Sequence, residues 1–466
     1  MISQASPGTT RIRRVLVANR GEIAVRVIRT LQRLGIESVL AVSSADRDSL
    51  GARRADRAVC IGPARARDSY LNIGALISAA LGTGCQAVHP GYGFLAERAE
   101  FAAACERNGV LFIGPTAEQI ERVGNKLEAR RIAGQARVPT PPGGPVATLQ
   151  DALGMADQVG YPVLIKAVAG GGGRGMKRAD TPAELGAQFE LAGAEALAAF
   201  GDGRVYLECY VAKGRHVEVQ VLGDGERVIH LGDRDCSVQR RYQKLVEEAP
   251  APHLRPSMRQ ELHAAAVRFA RHIGYRSLGT VEFLVDVERE RFYFLEMNAR
   301  IQVEHPVTEL VTGLDLVAEQ LRVAEGRAIG IRQEDVMQSG HAVECRINAE
   351  DTERDFQPSP GRVGEAHFAQ GEGLRVDTHI EAGSLVPPFY DSMVAKLVAH
   401  GRTRGEALQR LDAALAELRL TGIRTNQALH RQILASAEFS VGGVDTGFLG
   451  RWLAERAGRN AAGHPA

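Results

Sequence analysis

The segment RVLVANRGEIAVRVIRTLQRLGIESVLAV, residues 14–42, restricts the fold more than any other part of the chain. An apolar run is followed by apolar residues at helical spacing, then by Gly35, then by a second apolar run. This order predicts a strand, a helix that ends at the glycine, and another strand. Strands joined by a helix lie parallel. The connecting loop ANRGEIA has no G-x-G-x-x-G pattern, so a dinucleotide site is not supported. The chain should therefore begin with a parallel α/β domain.

The pattern along the chain predicts three domains. QAVHPGYGFLAERAEFAAACERNGVLFIG repeats the strand–helix–strand pattern, and the first domain is placed at residues 11–120. Short strand patterns around a Pro/Gly connector and a glycine run fill a second domain at 125–331. Further strands and the amphipathic helix EALQRLDAALAEL fill a third at 341–449. The predicted fold class is α/β, α+β overall.

Composition excludes several classes of protein. The net charge of +1 gives no reason to expect nucleic acid or an acidic membrane surface. We find no apolar run of membrane-spanning length, and the N-terminus lacks the apolar core of a signal peptide. Six scattered cysteines form no C-x-x-C motif, which disfavours a zinc site or a disulfide framework. Reduced thiols in a cytoplasmic protein are expected.

The stretch TVEFLVDVERERFYFLEMN, residues 280–298, is typical of a hairpin of two apolar strands. If Val287 pairs with Arg291, Glu282 lies directly opposite Glu296, with about 5 Å between the Cβ atoms. Two carboxylates at that distance repel, and a divalent cation such as Mg²⁺ removes the repulsion. Asn298, on the same face, adds a carbonyl oxygen. The alternative is a chance register with both glutamates in solvent.

The polar face continues past the hairpin in EMNARIQVEHP, where polar residues occupy every second position from Glu296 to Glu304. Arg300 offers a guanidinium fork suited to a small planar oxyanion. Glu304 beside it can accept a proton from such an anion. The alternative is a structural ion pair between Arg300 and Glu304.

Other segments carry weaker signals. Lys166 precedes the glycine run, whose backbone N–H groups can surround phosphate oxygens; the alternative is a flexible hairpin tip. In DRDCSVQRRYQKLVEEAP, the basic residues Arg234, Arg240, Arg241 and Lys244 form either an anion-binding segment or a solvated loop. A lone His216 is more often structural, and a buried Cys236 is more often inert.

Five motifs together resemble the biotin carboxylase subunit or domain of biotin-dependent carboxylases, of the ATP-grasp superfamily. They are GGGGRGM after a strand lysine, RDCSVQRRYQK, EMNARIQVEHPVTE, HAVECRINAED and PPFYDSMVAKL, and the similarity covers residues 11–447. The resemblance implies a Rossmann-like N-terminal domain, an ATP-grasp domain and a β-rich C-terminal domain.

The resemblance also implies roles for individual residues. The catalytic residues would be Arg300, Glu304 as the base, Lys244 and Arg346, the last of which would stabilise a biotin enolate. The nucleotide site would comprise Lys126, Lys166, Gly172, Gly173, Glu208, Val211, His216, Gln239 and Tyr242. The metal ligands would be Glu282, Glu296 and Asn298. Bicarbonate would lie against Lys244, Arg300, Gln302 and Val303, and biotin against Tyr92 and Arg346.

The implied reaction is the ATP-dependent carboxylation of biotin by bicarbonate, in an acetyl-CoA carboxylase type of enzyme that serves fatty acid biosynthesis. ATP, Mg²⁺ or Mn²⁺ (two ions) and carrier-borne biotin are the implied cofactors. A biotin carboxyl carrier protein, carboxyltransferase subunits and a second copy of the chain are the implied partners. A separate carrier is expected because the chain has no Ala-Met-Lys-Met context; Asp391-Ser-Met-Val-Ala-Lys396 is only a loose match.

Two rival functions remain open at this stage. Another ATP-grasp ligase would carboxylate an amine or join an amino acid, or a biotin carboxylase would serve pyruvate, propionyl-CoA or urea-type acceptors. A nucleotide-binding regulator without activity is disfavoured because base, anchor and metal residues are all present.

Overall fold

The structure is a computed structural model that describes residues 11–169 and 176–461. It confirms the mixed α/β class, with a parallel N-terminal sheet followed by antiparallel sheets. Within the described residues, we find no helix that is both long and apolar enough to cross a membrane.

The N-terminal domain is built on a five-stranded parallel sheet with strand order β3-β2-β1-β4-β5. The predicted first unit is confirmed, because Arg14 pairs with Glu37 in parallel register across an intervening helix. That helix buries Ile23, Val27 and Leu31 against the sheet. The strands are β1 (Arg14–Val17), β2 (Glu37–Ser43), β3 (Arg57–Gly62), β4 (Ala87–His89) and β5 (Leu111–Phe112). The helices are α1 (Gly21–Arg33), α2 (Leu50–Arg54), α3 (Ile73–Gly82), α4 (Ala99–Arg107) and α5 (Ala117–Gly124).

A small antiparallel sheet of order β6-β9-β7-β8 follows. Its elements are α6 (Lys126–Gln135), β6 (Gly143–Val146), α7 (Leu149–Val159), β7 (Val163–Ala167), β8 (Met176–Ala179), α8 (Pro182–Phe200) and β9 (Val205–Cys209). Lys166 pairs with Met176, as expected for strands that flank the glycine run. Gly172 and Gly173 themselves lie outside the described residues.

An eight-stranded antiparallel sheet, of order β14-β13-β10-β11-β12-β15-β22-β20, crosses the predicted boundary between the second and third domains. Strand β12 pairs with β15 through Val246–Cys345 and the next three pairs. The two regions therefore share one sheet. The strands that the second predicted domain supplies to this sheet are β10 (Gly214–Asp224), β11 (Val228–Arg240), β12 (Gln243–Ala249), β13 (Arg276–Asp286) and β14 (Arg291–Asn298). The helices of the same region are α9 (Pro256–His272), α10 (His305–Thr312) and α11 (Leu316–Ala324).

The C-terminal region combines short strands with four helices. The predicted amphipathic helix is confirmed as α12 and buries Ala407, Leu411 and Leu415. The strands are β15 (His341–Asn348), β16 (Glu350–Asp351), β17 (Gln357–Pro358), β18 (Gly361–Arg362), β19 (Ala366–His367), β20 (Leu374–Thr378), β21 (Leu385–Val386), β22 (Met393–Gly401) and β23 (Arg419–Leu420). The helices are α12 (Arg404–Glu417), α13 (Gln427–Leu434), α14 (Ala437–Val441) and α15 (Phe448–Ala461).

The β13–β14 hairpin corrects one step of the sequence argument. Arg291 pairs with Asp286 and not with Val287, so the turn has four residues where three were expected. A shift in register between Glu282 and Phe283 then restores the expected pairing of Glu282 with Glu296. The bulge, which nothing in the sequence marks with a glycine, compensates for the longer turn.

Candidate active site

The site is centred on Lys244, near the start of β12. Its ammonium group donates to Glu218 at 2.6 Å, to Glu304 at 2.7 Å and to Glu282 at 3.0 Å. Burial would lower the pKa of Lys244, but the three carboxylates raise it well above its ordinary value. Lys244 is therefore a permanent cation that holds together carboxylates from β10, β13 and the start of α10.

Glu304 lies where the polar row ends. Strand β14 ends at Asn298, and Glu304 is the residue before α10. Only Glu296 and Asn298 of the alternating polar residues therefore lie in a β-strand. The Glu304 side chain is fully buried, and Arg346 donates to its second oxygen at 2.8 Å. Burial would raise its pKa, but Lys244, Arg346 and Arg234 hold the pKa well below the usual range. Glu304 is thus ionised and able to accept a proton once a substrate anion competes for its cations.

The predicted metal residues lie together. Glu282 faces Glu296 across the ladder, and Asn298 Nδ2 donates to Glu282 at 2.9 Å. Burial raises the pKa of Glu296, and the charge of Glu282 adds to this effect. Such a like-charged pair fits a divalent cation, since hard oxygen ligands suit Mg²⁺. The Asn298 carbonyl accepts a hydrogen bond from Arg300 at 2.9 Å, so its use as a ligand requires Arg300 to move or the amide to turn.

Arg300 is oriented by contacts from two domains. Its Nε donates to Glu97, which precedes α4 in the N-terminal domain, at 2.7 Å. Its Nη1 donates to Gln302 at 2.5 Å, and Gln302 in turn donates to Glu282 at 3.1 Å. The alternative of a direct Arg300–Glu304 ion pair is not observed among the described contacts: Arg300 pairs with Glu97, and Glu304 pairs with Lys244 and Arg346.

Two contacts link predicted nucleotide residues to one another: Glu208 with Lys166, and Gln239 with His216. Glu208 on β9 accepts from Lys166 at 2.5 Å and from Arg130 on α6. Lys126 lies at the start of α6. Burial lowers the pKa of Lys126, although the nearby charge of Glu296 acts to raise it. Gln239 lies within 2.9 Å of the His216 ring. Two further predicted members are Val211, which is buried, and Tyr242, which is exposed at the β11–β12 turn.

His216 is not merely a core residue. Its Nε2 lies 3.0 Å from Glu282, and burial, which would lower its pKa, is outweighed by the charge of Glu282, which raises it. The cluster of His216, Glu218 and Glu282 has the spacing of a metal site, although Lys244 already contacts both carboxylates.

The two predicted biotin residues are both connected to a buried lysine, Lys396: Arg346 is its cross-strand partner, and Tyr92 reaches it through Glu22. Arg346 donates to Glu247 at 2.5 Å and to Glu304 at 2.8 Å. Tyr92 donates to Glu22 of α1, which lies 3.1 Å from Lys396. Lys396 also donates to the carbonyl of Val303 at 2.7 Å and is completely buried. The loose biotinylation match at Lys396 is thereby explained as a structural lysine.

Sequence reasoning missed Glu218 and Glu97, and it considered Lys396 only as a loose biotinylation match. Glu218 stands two residues after His216 on one face of β10, a spacing that could have suggested it. Arg234, considered as part of an anion-binding segment, is instead fully buried and donates to Glu218 at 2.6 Å. Arg240 and Arg241 contact Asp355 and not the polar cluster. Glu97 and Lys396 come from other domains, and no local spacing marks them.

Comparisons with known proteins cover nearly the whole chain. Three family models match: "Biotin carboxylase, N-terminal domain" at residues 11–120, "Carbamoyl-phosphate synthase L chain, ATP binding domain" at 125–332, and "Biotin carboxylase C-terminal domain" at 344–451. A biotin carboxylase of Pseudomonas aeruginosa is 53% identical over 95% of this chain and 99% of its own. Biotin carboxylase 1 of Bacillus subtilis is 49% identical over 94% of this chain and 98% of its own.

Solved structures agree with these sequence matches. A biotin carboxylase complex from Campylobacter jejuni has a TM-score of 0.92 at 43% identity, covering 95% of this chain and 99% of that one. The biotin carboxylase domain dimer of Hydrogenobacter thermophilus 2-oxoglutarate carboxylase, in complex with MgADP, ADP and bicarbonate, has a TM-score of 0.91 at 43% identity over 95% and 98%.

The small antiparallel sheet, the large sheet with its paired glutamates and the matching ATP-binding model define the class first: the protein is an ATP-grasp ligase. The matches on both sides of that domain then define the family. The chain belongs to the biotin carboxylase family.

Proposed function

We propose that the chain transfers a carboxyl group from bicarbonate to biotin on a separate carrier protein at the expense of ATP. The observation that carries the proposal is the contact series from Glu282 through Lys244 and Glu304 to Arg346. It places candidate metal, anion-binding, base and enolate-stabilising groups in one continuous cluster.

In the proposed reaction, Lys244 and Arg300 hold bicarbonate, with Gln302 and the Val303 backbone beside it. Glu304 takes the proton of bicarbonate, and the resulting dianion attacks the γ-phosphate of ATP. Carboxyphosphate and ADP form as the bond from the γ-phosphorus to the bridging oxygen breaks. Positioning and charge neutralisation dominate phosphoryl transfers of this kind.

In the second step, carboxyphosphate releases CO₂ and phosphate. The phosphate removes the N1′ proton of biotin, and the biotin enolate attacks CO₂ to give carboxybiotin. Arg346 stabilises the negative charge that develops on the enolate oxygen. Lys126, Lys166, Glu208, Val211, His216, Gln239 and Tyr242 are the nucleotide contacts we propose, with Gly172 and Gly173 covering the phosphates. Tyr92 approaches biotin.

Glu282, Glu296 and Asn298 would hold Mg²⁺ or Mn²⁺. When bound, the metal ions neutralise phosphate charge and align the γ-phosphate. The facing carboxylates Glu282 and Glu296 fit this purpose: burial raises the pKa of Glu296, the charge of Glu282 adds to this effect, and a bound cation would relieve the repulsion between the two groups.

ATP hydrolysis that requires both bicarbonate and free biotin tests this function. Glu304→Gln should abolish the bicarbonate dependence and keep ATP binding. Glu290→Gln is a matched control, because Glu290 is exposed at the hairpin turn and its ion pair with Arg255 is solvated. Hydrolysis without any dependence on bicarbonate or biotin would favour another ATP-grasp ligase or a nucleotide-binding regulator.

We propose acetyl-CoA as the final acceptor, delivered through carboxyltransferase subunits, with a homodimer as the working form. The structure of a biotin carboxylase subunit of pyruvate carboxylase is 45% identical with a TM-score of 0.82, which makes pyruvate the second candidate. Pull-down of the carboxyltransferase partner with this chain, followed by assay of carboxyl transfer to each acceptor, decides between the two.

A further inference from the structure

Two buried glutamates that the proposed reaction does not use lie behind Arg346. Glu247 on β12 and Glu344 on β15 are direct cross-strand partners, and both are completely buried. Glu247 accepts from Arg346 Nε at 2.5 Å through one oxygen, while its other oxygen has no hydrogen-bond partner in the described part of the chain. Among the residues that the structure describes, neither oxygen of Glu344 has a hydrogen-bond partner. Three carboxylate oxygens are therefore left without a donor in the interior.

The surroundings offer little solvation to this pair. Helix α10 packs on β12 and β15, and its Val307 and Val311 form an apolar cluster with Ala249, Ala342 and Val398. The charged groups that act on the pair are Arg346 on β15, Lys244 on β12, Lys396 on β22 and Glu304 before α10. The titratable group near Glu247 on β11 is the Cys236 thiol, whose pKa burial raises well above its usual value. Lys396 is already engaged by Val303 and Glu22, and Lys244 by three other carboxylates.

Two ionised carboxylates facing each other in this position would repel strongly, and one proton removes the repulsion. Burial raises the pKa of Glu247 to about 7 and raises that of Glu344 well above its usual range; for Glu344, the charge of Glu247 adds to this effect. The two groups titrate as a pair.

We propose that Glu247 and Glu344 share one proton at neutral pH and act as a positioning pair for Arg346. Glu247 fixes the orientation of the guanidinium through Nε, which leaves Nη2 directed at Glu304. The shared proton limits the negative charge behind Arg346 to one unit. With a second charge there, the field of Arg346 at a substrate anion would be further cancelled. The role assigned to Arg346 rests on the proposed function, whereas the shared proton does not.

Infrared difference spectroscopy tests the proton directly. Wild-type protein at neutral pH should show the C=O stretch of a protonated carboxyl group that is clearly weaker in Glu344→Gln, because one of the two carboxyl groups that share the proton is removed and Glu247 keeps its pairing with Arg346. Glu344→Met provides a second neutral variant if Glu344→Gln does not fold. A protonated-carboxyl band that is the same in the wild type and in a folded Glu344 variant overturns the proposal, whether or not the protein carboxylates biotin.

The pH profile of biotin-dependent ATP hydrolysis tests the positioning role. Glu344→Gln should keep wild-type turnover at neutral pH and shift the alkaline limb upward by about one pH unit or more, a tenfold gain at a fixed alkaline pH. Glu353→Gln, an exposed change in the same region, should leave the profile unaltered. An unshifted alkaline limb, or turnover lost at neutral pH in folded Glu344→Gln, overturns the role. A wild-type enzyme without biotin-dependent hydrolysis refutes the proposed function and leaves the infrared result standing.

Discussion

Replacing Lys396 with Met removes a buried positive charge that contacts both the predicted bicarbonate site, through Val303, and the predicted biotin site, through Glu22 and Tyr92. The ammonium group is completely buried, donates to the Val303 carbonyl at 2.7 Å, and lies 3.1 Å from Glu22 and 3.9 Å from Asp377. Glu22 in turn accepts from Tyr92. Met has nearly the same volume and no charge, so the change tests electrostatics with little change in packing.

The magnitude follows from what the variant leaves behind. Asp377 keeps Arg375 at 2.7 Å, but Glu22 loses its only ionic partner among the described contacts. Removing one member of a buried ion pair costs about 3–5 kcal/mol. Burial already raises the pKa of Glu22, and loss of Lys396 raises it further. The variant can therefore take up a proton on Glu22, and its destabilisation should be smallest in acid.

The sign of the pH dependence is fixed by this linkage. Glu22 has a higher pKa in the folded protein than in the unfolded chain, where it is about 4.3. The free energy of unfolding therefore falls as pH rises from the unfolded pKa through the folded pKa. Because burial already raises the folded pKa of Glu22 in the wild type, the stability gap between wild type and Lys396→Met should widen as pH rises from that folded pKa to the higher folded pKa in the variant. Urea-induced unfolding at several pH values measures it, and Glu22→Gln in the same chain should recover much of the loss. A pH-independent gap, or no recovery by Glu22→Gln, would refute the electrostatic account.

Four further predictions concern the reaction and the biotin carrier. Arg300→Ala should keep ATP binding and lower bicarbonate-dependent turnover by roughly 10²-fold or more, as for loss of one charge-stabilising donor; wild-type turnover would reject its assignment. Glu282→Gln and Glu296→Gln should each weaken Mg²⁺ dependence and be non-additive when combined, whereas strict additivity in a metal titration would indicate separate ions. Intact-mass measurement after co-expression with a biotin ligase should show no biotin on this chain, because Lys396 is buried; a biotin-sized increase would contradict the separate carrier. A carrier should raise the rate through effective concentration.

The sequence predicted the fold and the site correctly where the periodicity of apolar residues also fixed the positions of the polar ones. The parallel sheet followed from a strand–helix–strand pattern, and the Glu282–Glu296 pair followed from alternation in two strands. Even so, the pairing came through an incorrect turn, because a bulge leaves no residue-type signature in this hairpin. Local patterns therefore gave the correct partners while missing the backbone path between them.

The remaining site residues could not be predicted from local spacing. Glu97 and Arg300 are separated by 203 positions in the chain, and Lys396 and Val303 by 93. Their contacts depend on how the domains pack, which no window of the sequence records. Glu247 and Glu344 were missed for another reason: a buried carboxylate cannot be distinguished from a surface one in a sequence where charged residues are common.

The pairing of cations with the protein's own carboxylates has a consequence for substrate binding. Lys244 contacts three glutamates, Arg300 contacts Glu97, and Lys166 contacts Glu208. These three cations, which we propose hold anionic substrates, are thus already paired with carboxylates in largely enclosed positions. A substrate anion must therefore exchange with a carboxylate, and the exchange changes the basicity of the group released. When bicarbonate draws Lys244 away from Glu304, the pKa of Glu304 rises, because Lys244 is the first of the cations that hold it down. Binding of the anion would in this way strengthen the base that must deprotonate it.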